Sequence, residues 1–123
     1  MTRRSEYDIV HIEENRYEES LMQGYLESAR VFMALCDETR LKVLDLLRSG
    51  EMCASLLLEQ VNVAQSTLSH HMWILVQSGI VNARKAGKWT YYSICENGRQ
   101  QAIDMLTQVT ATARLDGDGI TCL

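Results

Sequence analysis

The sequence predicts a mainly α-helical domain with one small β-hairpin, in the order of a winged helix-turn-helix. Two observations carry this. Leu68, Met72, Leu75 and Val76 fall at i, i+4, i+7 and i+8, one apolar stripe of a helix, with Ser66, Ser69, His70 and Trp73 on the other side. Gly79 follows where a helix C-terminus favours a residue tolerant of positive φ. The chain then runs at once into two strand-like segments, Ile80 to Lys85 and Lys88 to Ile94, around Ala86-Gly87, a short glycine-bearing loop. A helix with a small polar outer face, followed directly by a hairpin with a basic tip, is the arrangement of that fold.

The other elements follow from periodicity and caps. Residues 1–16 form an N-terminal arm, polar except for Asp8 to Ile12, which reads as a short strand or as an arm laid on a partner. The winged domain with its flanking helices occupies residues 17–114, and residues 115–123 form a flexible tail containing Asp116-Gly117-Asp118-Gly119. From about Tyr17 to Leu35, Leu21, Tyr25, Ala29 and Phe32 mark a helix whose apolar face is wider than a small core needs, so a partner helix is expected to cover it. Asp37 is placed to cap the next helix by accepting from its free amides. Leu41, Val43, Leu44, Leu46 and Leu47 are expected to form that helix's buried face, and Ser49-Gly50 to end it. A third short helix carries Cys53, Leu56, Leu57 and Val61, and Asn62 turns the chain into the outward-facing helix. Proline is absent, so caps and glycines must set the helix ends. After the hairpin, Glu96 or Asn97 starts a last helix with Ile103, Leu106 and Val109 in one stripe and Ala102, Met105 and Ala113 beside it.

At 123 residues and 46% hydrophobic, the chain has the size and composition of one globular domain. No apolar run approaches the roughly 18 residues of a membrane span, and the first residues lack an apolar signal-type segment, so a cytoplasmic protein with no membrane partner is expected. Cys36, Cys53, Cys95 and Cys122 are widely spaced without a C-x-x-C pair, and read as thiols rather than a disulfide framework. An enzyme needs a nucleophile, a base and a pocket. Here His70 and His71 belong to the exposed helix, and no H-E-x-x-H, G-x-S-x-G or phosphate-loop pattern occurs, so no enzyme is expected.

Charge is informative once it is localised. The whole chain carries −4, yet Gln60 to Cys95 contains no Asp or Glu while Arg84, Lys85 and Lys88 contribute +3; the −4 of the whole less this +3 leaves −7 on the rest. A local positive footprint on an acidic body still binds phosphate, because charges are screened beyond roughly 8 Å at physiological salt. In such a fold the helix enters a major groove and the hairpin lies along the phosphates, so double-stranded DNA is the expected partner.

The segments A-L-C-D-E-T-R-L-K-V-L-D-L-L, E-M-C-A-S-L-L, A-Q-S-T-L-S-H-H-M-W-I-L and G-I-V-N-A-R-K-A-G-K-W-T-Y-Y-S-I follow one another between about residues 32 and 95. In order and spacing they resemble the ArsR/SmtB repressors, most specifically at D-E-T-R-L, Q-S-T-L-S-H-H and R-K-x-G-K-W-x-Y-Y. The resemblance implies a homodimer built on the first and last helices. It also implies a repressor that leaves its operator when a metal, a metalloid or, in some branches, a sulfur oxidant binds. For the DNA surface it implies Gln65, Ser66, Thr67, Ser69 and His70 on the helix and Arg84, Lys85 and Lys88 on the wing. Gln can pair with adenine, and Ser and His can donate to phosphates or base edges. Trp73 stands where the family usually has Lys or Arg, and is expected to stack on a sugar or to cover core; His71 is expected to face inward as a hydrogen-bonded core histidine.

The family's inducer sites are incomplete here. The arsenite and cadmium branch usually carries C-x-C in the third helix, where this chain has Cys53 and Ser55, and a hydroxyl suits a soft ion poorly. In place of the further cysteines of the cadmium-type arm, this arm offers Tyr7 and His11. In place of the zinc branch's His and acidic ligands, the last helix has Asp104 and no histidine. Cys53 is left as the anchor, with Cys122 as companion and Cys36 or Cys95 as a further thiol, and arsenite or a soft divalent metal ion as the favoured inducer. Two thiols could instead form a reversible disulfide or polysulfide switch. A winged helix used only for protein interaction, without inducer, is the remaining alternative. Outside an inducer site, Cys36 and Cys95 are expected to be small buried hydrophobes.

Overall fold

The computed structural model describes the backbone of residues 6–112 and the side chains of Arg16 and residues 18–112. Helix α1 spans Glu6–Ala34 and α2 spans Glu38–Leu47. A short strand β1, Met52–Cys53, leads directly into α3, Ala54–Gln60, and then α4, Gln65–Gln77. Strands β2, Val81–Ala86, and β3, Trp89–Ile94, form the hairpin, and α5, Glu96–Thr110, crosses back onto α1. The predicted winged architecture is present, with one strand more than the sequence suggests.

Helix α2 starts where expected: Asp37 is extended (φ −159°, ψ 133°) and its Oδ2 accepts from the Arg40 amide at 3.0 Å. That backbone hydrogen bond holds the Asp37 carboxyl below its ordinary range, helped by the nearby Arg40 guanidinium. The buried stripe of α2 is narrower than expected. Val43 and Leu47, one turn apart, are buried, Leu44 and Leu46 are half-buried, and Leu41 is exposed at the mouth of an apolar cleft shared with Ile103 of α5. In α3, Leu57 is buried and Val61 closes the helix inside the core, whereas Leu56 points outward.

Helix α4 presents the expected stripe inward. Leu68, Met72 and Leu75 are 3%, 1% and 0% exposed, and Val76 is half-buried. The helix ends at Ser78, whose hydroxyl donates back to Leu75 O at 2.7 Å, and Gly79 follows at φ +84°. The hairpin closes one residue later than the sequence suggests: Ala86 pairs with Trp89, so the loop is Gly87-Lys88 rather than Ala86-Gly87. Gly87 has φ +63° and Lys88 does not have positive φ; glycine at the first of two loop residues is the type II′ requirement.

β1 pairs antiparallel with β3, Met52 opposite Tyr92 and Cys53 opposite Tyr91, giving the strand order β1-β3-β2. Cys53 is therefore a strand residue at the N-cap of α3 rather than a residue inside that helix. Helix α1 begins at Glu6, well ahead of Tyr17, and the Asp8 to Ile12 stretch has helical backbone instead of being a strand. At 1.5 Å per residue its 29 residues reach about 43 Å. The proposed tail, residues 115–123, lies outside the described residues, as do Ala113 and Cys122.

The join between α4 and α5 is closely packed. Cys95 N donates to Ile80 O at 2.8 Å, and buried Gly98 lies against the Gly79 carbonyl. A Cβ at residue 98 would sit 1.8 Å from Gly79 O and 2.6 Å from its carbonyl carbon. Both are backbone atoms, so no rotamer change relieves the clash. Gly98→Ala should lower unfolding free energy by about 3 kcal/mol, read from urea denaturation; no loss, or the small gain that an exposed helical Gly→Ala change brings, would show that α5 simply shifts away.

Candidate nucleic-acid interface

With its apolar stripe buried, α4 must turn Gln65, Ser66, Thr67, Ser69, His70 and Trp73 outward, and all six are exposed. Its N-cap is Ala64, which has no side-chain acceptor, and its first turn holds no acidic residue. The free amides and the positive end of the helix dipole there are open to an anion. The Trp73 indole, 60% exposed, stacks on the His70 imidazole with ring centroids 6.4 Å apart and 12° between planes. Trp73 thus extends the outer surface and does not cover core. His71 turns the other way, as expected, and its Nδ1 meets Arg40 Nη1 at 2.9 Å.

The wing contains an acidic partner that no local window of sequence reveals. Arg84 donates from both Nε and Nη2 to the Glu51 carboxylate, with Nε at 3.1 Å from Oε2, and its guanidinium lies 4.7 Å over the Tyr91 ring. This pairing lowers the Glu51 carboxyl pKa and raises that of Arg84. Glu51 precedes β1, and the pairing of β1 with β3 brings it there. One of the three positive charges of the wing is therefore matched in this conformation. Lys85 and Lys88 remain exposed, with Lys88 Nζ 5.7 Å over the Trp89 ring. Between α4 and the wing runs a cleft of about 360 Å³ bordered by Ser55, Gln65, Ser69, Lys88 and Trp89.

Cys53 stands at the edge of the same sheet. Register places Arg84, Tyr91 and Cys53 in one cross-strand row. Its Sγ lies 3.1 Å from Ser55 Oγ, and this hydrogen bond, with the amides of Leu56 and Ser55, holds the thiol below its ordinary pKa. Ser55, a poor soft-metal ligand, is thus placed to donate to Cys53 Sγ once the thiol ionises. Cys95 is half-buried and caps α5, its sulfur accepting from Gly98 N at 3.4 Å. Cys36, expected to be buried, is exposed in the turn between α1 and α2. Among the described residues no group of three or more His, Cys, Asp or Glu is placed to hold a metal ion. No helix among them is long and apolar enough to cross a membrane.

An outward polar helix with an open N-terminus, flanked by a basic hairpin on a three-stranded sheet, defines a winged-helix DNA-binding regulator. Residues 37–83 match the family of bacterial regulatory proteins of the arsR type. The chain is 44% identical over 71 residues to the arsenical resistance operon repressor of Staphylococcus aureus, covering 58% of this chain and 68% of that one. It is 33% identical over 102 residues to a cadmium resistance transcriptional regulatory protein, CadC homolog, of the same species, covering 79% and 84%. The solved structure of an ArsR-like transcriptional regulator from Rhodococcus sp. RHA1 superposes with a TM-score of 0.65 at 29% identity, over 73% of this chain and 83% of that one. The chain belongs to the ArsR family, whose members are DNA-binding transcriptional regulators and not enzymes.

The Cys53 environment is testable in isolation. With Cys36, Cys95 and Cys122 changed to serine, iodoacetamide labelling reports Cys53 alone. Ser55→Ala should move the pH midpoint of labelling upward, because the thiolate loses its strongest donor. An unchanged midpoint would mean that the hydroxyl does not stabilise the anion.

Proposed function

We propose that the protein is a homodimeric transcriptional repressor that reads double-stranded DNA with α4 and the wing, and that an inducer bound at Cys53 releases it. The observation that carries this reading is the outward face of α4: six polar or aromatic side chains and a bare N-terminus beside exposed Lys85 and Lys88. Gln65 suits an adenine edge, Ser66, Thr67 and Ser69 suit phosphates or base edges, and His70 with Trp73 forms a flat ledge for a sugar or a thymine methyl.

The dimer reading rests on exposed apolar surface. Met22, Tyr25 and Leu26 of α1 are 61%, 60% and 51% exposed, and Leu106 and Val109 of α5 are 55% and 56% exposed. Monomers rarely leave so much contiguous apolar surface in water. Two copies joined through these helices present two α4 faces, as a two-fold operator requires.

Arsenite or a soft divalent metal ion is the favoured inducer. The arsenical and cadmium resistance regulators to which the chain is similar support that class, and a thiolate of lowered pKa is the donor such an ion takes. Cys122 and one further thiol would complete the ligand set. Pulling Cys53 toward a ligand works directly on the wing, because β1 is held by Tyr91 and Tyr92 and starts beside Glu51. The same activated thiolate also favours a second reading, reversible disulfide or polysulfide formation at Cys53.

Two experiments test this. Duplexes selected from a random pool should bind with affinity that falls steeply with salt, and Lys88→Ala should reduce the log–log slope by about one. In the same assay Glu51→Gln should free Arg84, tightening binding severalfold and steepening the slope by about one. Failure to select any sequence, with flat salt dependence, would leave a protein-interaction module. For the inducer, release of the selected duplex is measured against arsenite, antimonite, cadmium, lead, zinc and polysulfide. Cys53→Ser should abolish the response to whichever agent acts; an undiminished response removes Cys53 as anchor.

A further inference from the structure

We propose that Arg40 is a positioning residue for DNA recognition: its guanidinium ties the C-terminal end of α1 to His71 of α4, and the tie holds only while His71 is neutral. The inference rests on the repressor reading above.

The geometry is specific. Arg40 Nε donates to Ala34 O at 2.8 Å and Nη2 donates to Met33 O at 3.0 Å. The last turn of α1 holds no basic residue of its own, so α2 supplies the cation that its free carbonyls favour. The third arm of the fork, Nη1, reaches His71 Nδ1 at 2.9 Å. A guanidinium has only donors and keeps its proton. Nδ1 must therefore accept, which puts the imidazole proton on Nε2 and leaves the ring uncharged. Only a planar, multiply donating head group spans two carbonyls and a ring nitrogen together, so lysine does not replace it.

Protonation reverses the contact. An Nδ1–H would face the guanidinium as like charge against like charge. The carboxylate within reach is Asp37, whose Oδ2 lies 3.8 Å from Nδ1 and already caps α2 through the Arg40 amide. The titratable and charged groups facing His71 are thus Arg40 and Asp37 from the start of α2, with His70 of α4 at 6.5 Å between ring centroids. In acid, His71 exchanges Arg40 for Asp37, and α4 is released from the end of α1. Helix α1 is where the two copies meet in the proposed dimer. The Arg40 tie therefore bears on the spacing of the two α4 helices, which must match about 34–36 Å of duplex. His71 side-chain exposure is only 13%, so the exchange takes place inside the fold, away from any phosphate contact.

The test compares the wild type, His71→Asn, His71→Leu and Arg40→Gln for binding to a selected duplex and to a random duplex, between about pH 8 and about pH 6, where imidazoles change charge. Asparagine offers an acceptor near the Nδ1 position and does not titrate. Wild type and His71→Asn should agree within about twofold at the upper pH. At the lower pH wild type should lose roughly tenfold relative to His71→Asn, the size of one charge-assisted hydrogen bond. His71→Leu and Arg40→Gln should lose a similar factor throughout. Exposed His70 is present in both wild type and His71→Asn, so its own contact with the duplex is common to the comparison. Parallel pH profiles for those two proteins, or a gain by wild type in acid, overturn the proposal even if Arg40→Gln proves too unstable to assay. Absence of any preference for the selected duplex by wild type at the upper pH would instead overturn the repressor reading on which it rests.

Discussion

Three side chains beneath α4 decide what its surface presents. Leu68, Met72 and Leu75 are almost wholly buried, each contributing roughly 2–3 kcal/mol by leaving water. A helix of 13 residues is marginal in water by itself, so tertiary packing holds it in place. The stripe also fixes the helix's rotation about its axis. Turning it by one residue would carry Ser69 and Trp73, or Thr67 and His71, toward the core and swing the Leu68, Met72 and Leu75 stripe toward solvent. The polar face is thus a consequence of the core, and the buried faces of α2 and α3 provide that core.

Around this frame the charges are arranged by tertiary contact. The body is acidic and the wing basic, yet Glu51 is carried across to Arg84 by a two-residue strand. The pair is half exposed, so its contribution to stability is small. Its importance lies in placement. The same short strand holds Cys53 beside Tyr91, so a thiol of lowered pKa and Arg84 of the wing's ion pair share one cross-strand row.

How much of this the sequence discloses depends on whether the cause is local. The stripe of α4, the Asp37 cap and the Gly79 stop are local, and each is where periodicity or capping chemistry puts it. Ala86 and Gly87 both suit a turn, and only the pairing of Ala86 with Trp89 moves the loop to Gly87-Lys88. β1 was illegible because two residues have no periodicity. Arg84 with Glu51, 33 residues apart, and Arg40 with His71, 31 apart, were illegible because nothing near either partner announces the other. Cys36, a cysteine beside an apolar run, resembles core in sequence, whereas the turn after α1 leaves it in solvent. Gly98 looks like an ordinary helical glycine until the Gly79 carbonyl is seen against it.

The bare start of α4 has a consequence of its own. Replacing Ala64 with serine or aspartate would ordinarily reinforce such a helix by about 1 kcal/mol. The added oxygen, however, would fill the spot that an incoming phosphate would occupy, and aspartate would also repel it. Thermal robustness and readiness for an outside anion therefore compete at a single atom, and alanine keeps that doorway unfurnished.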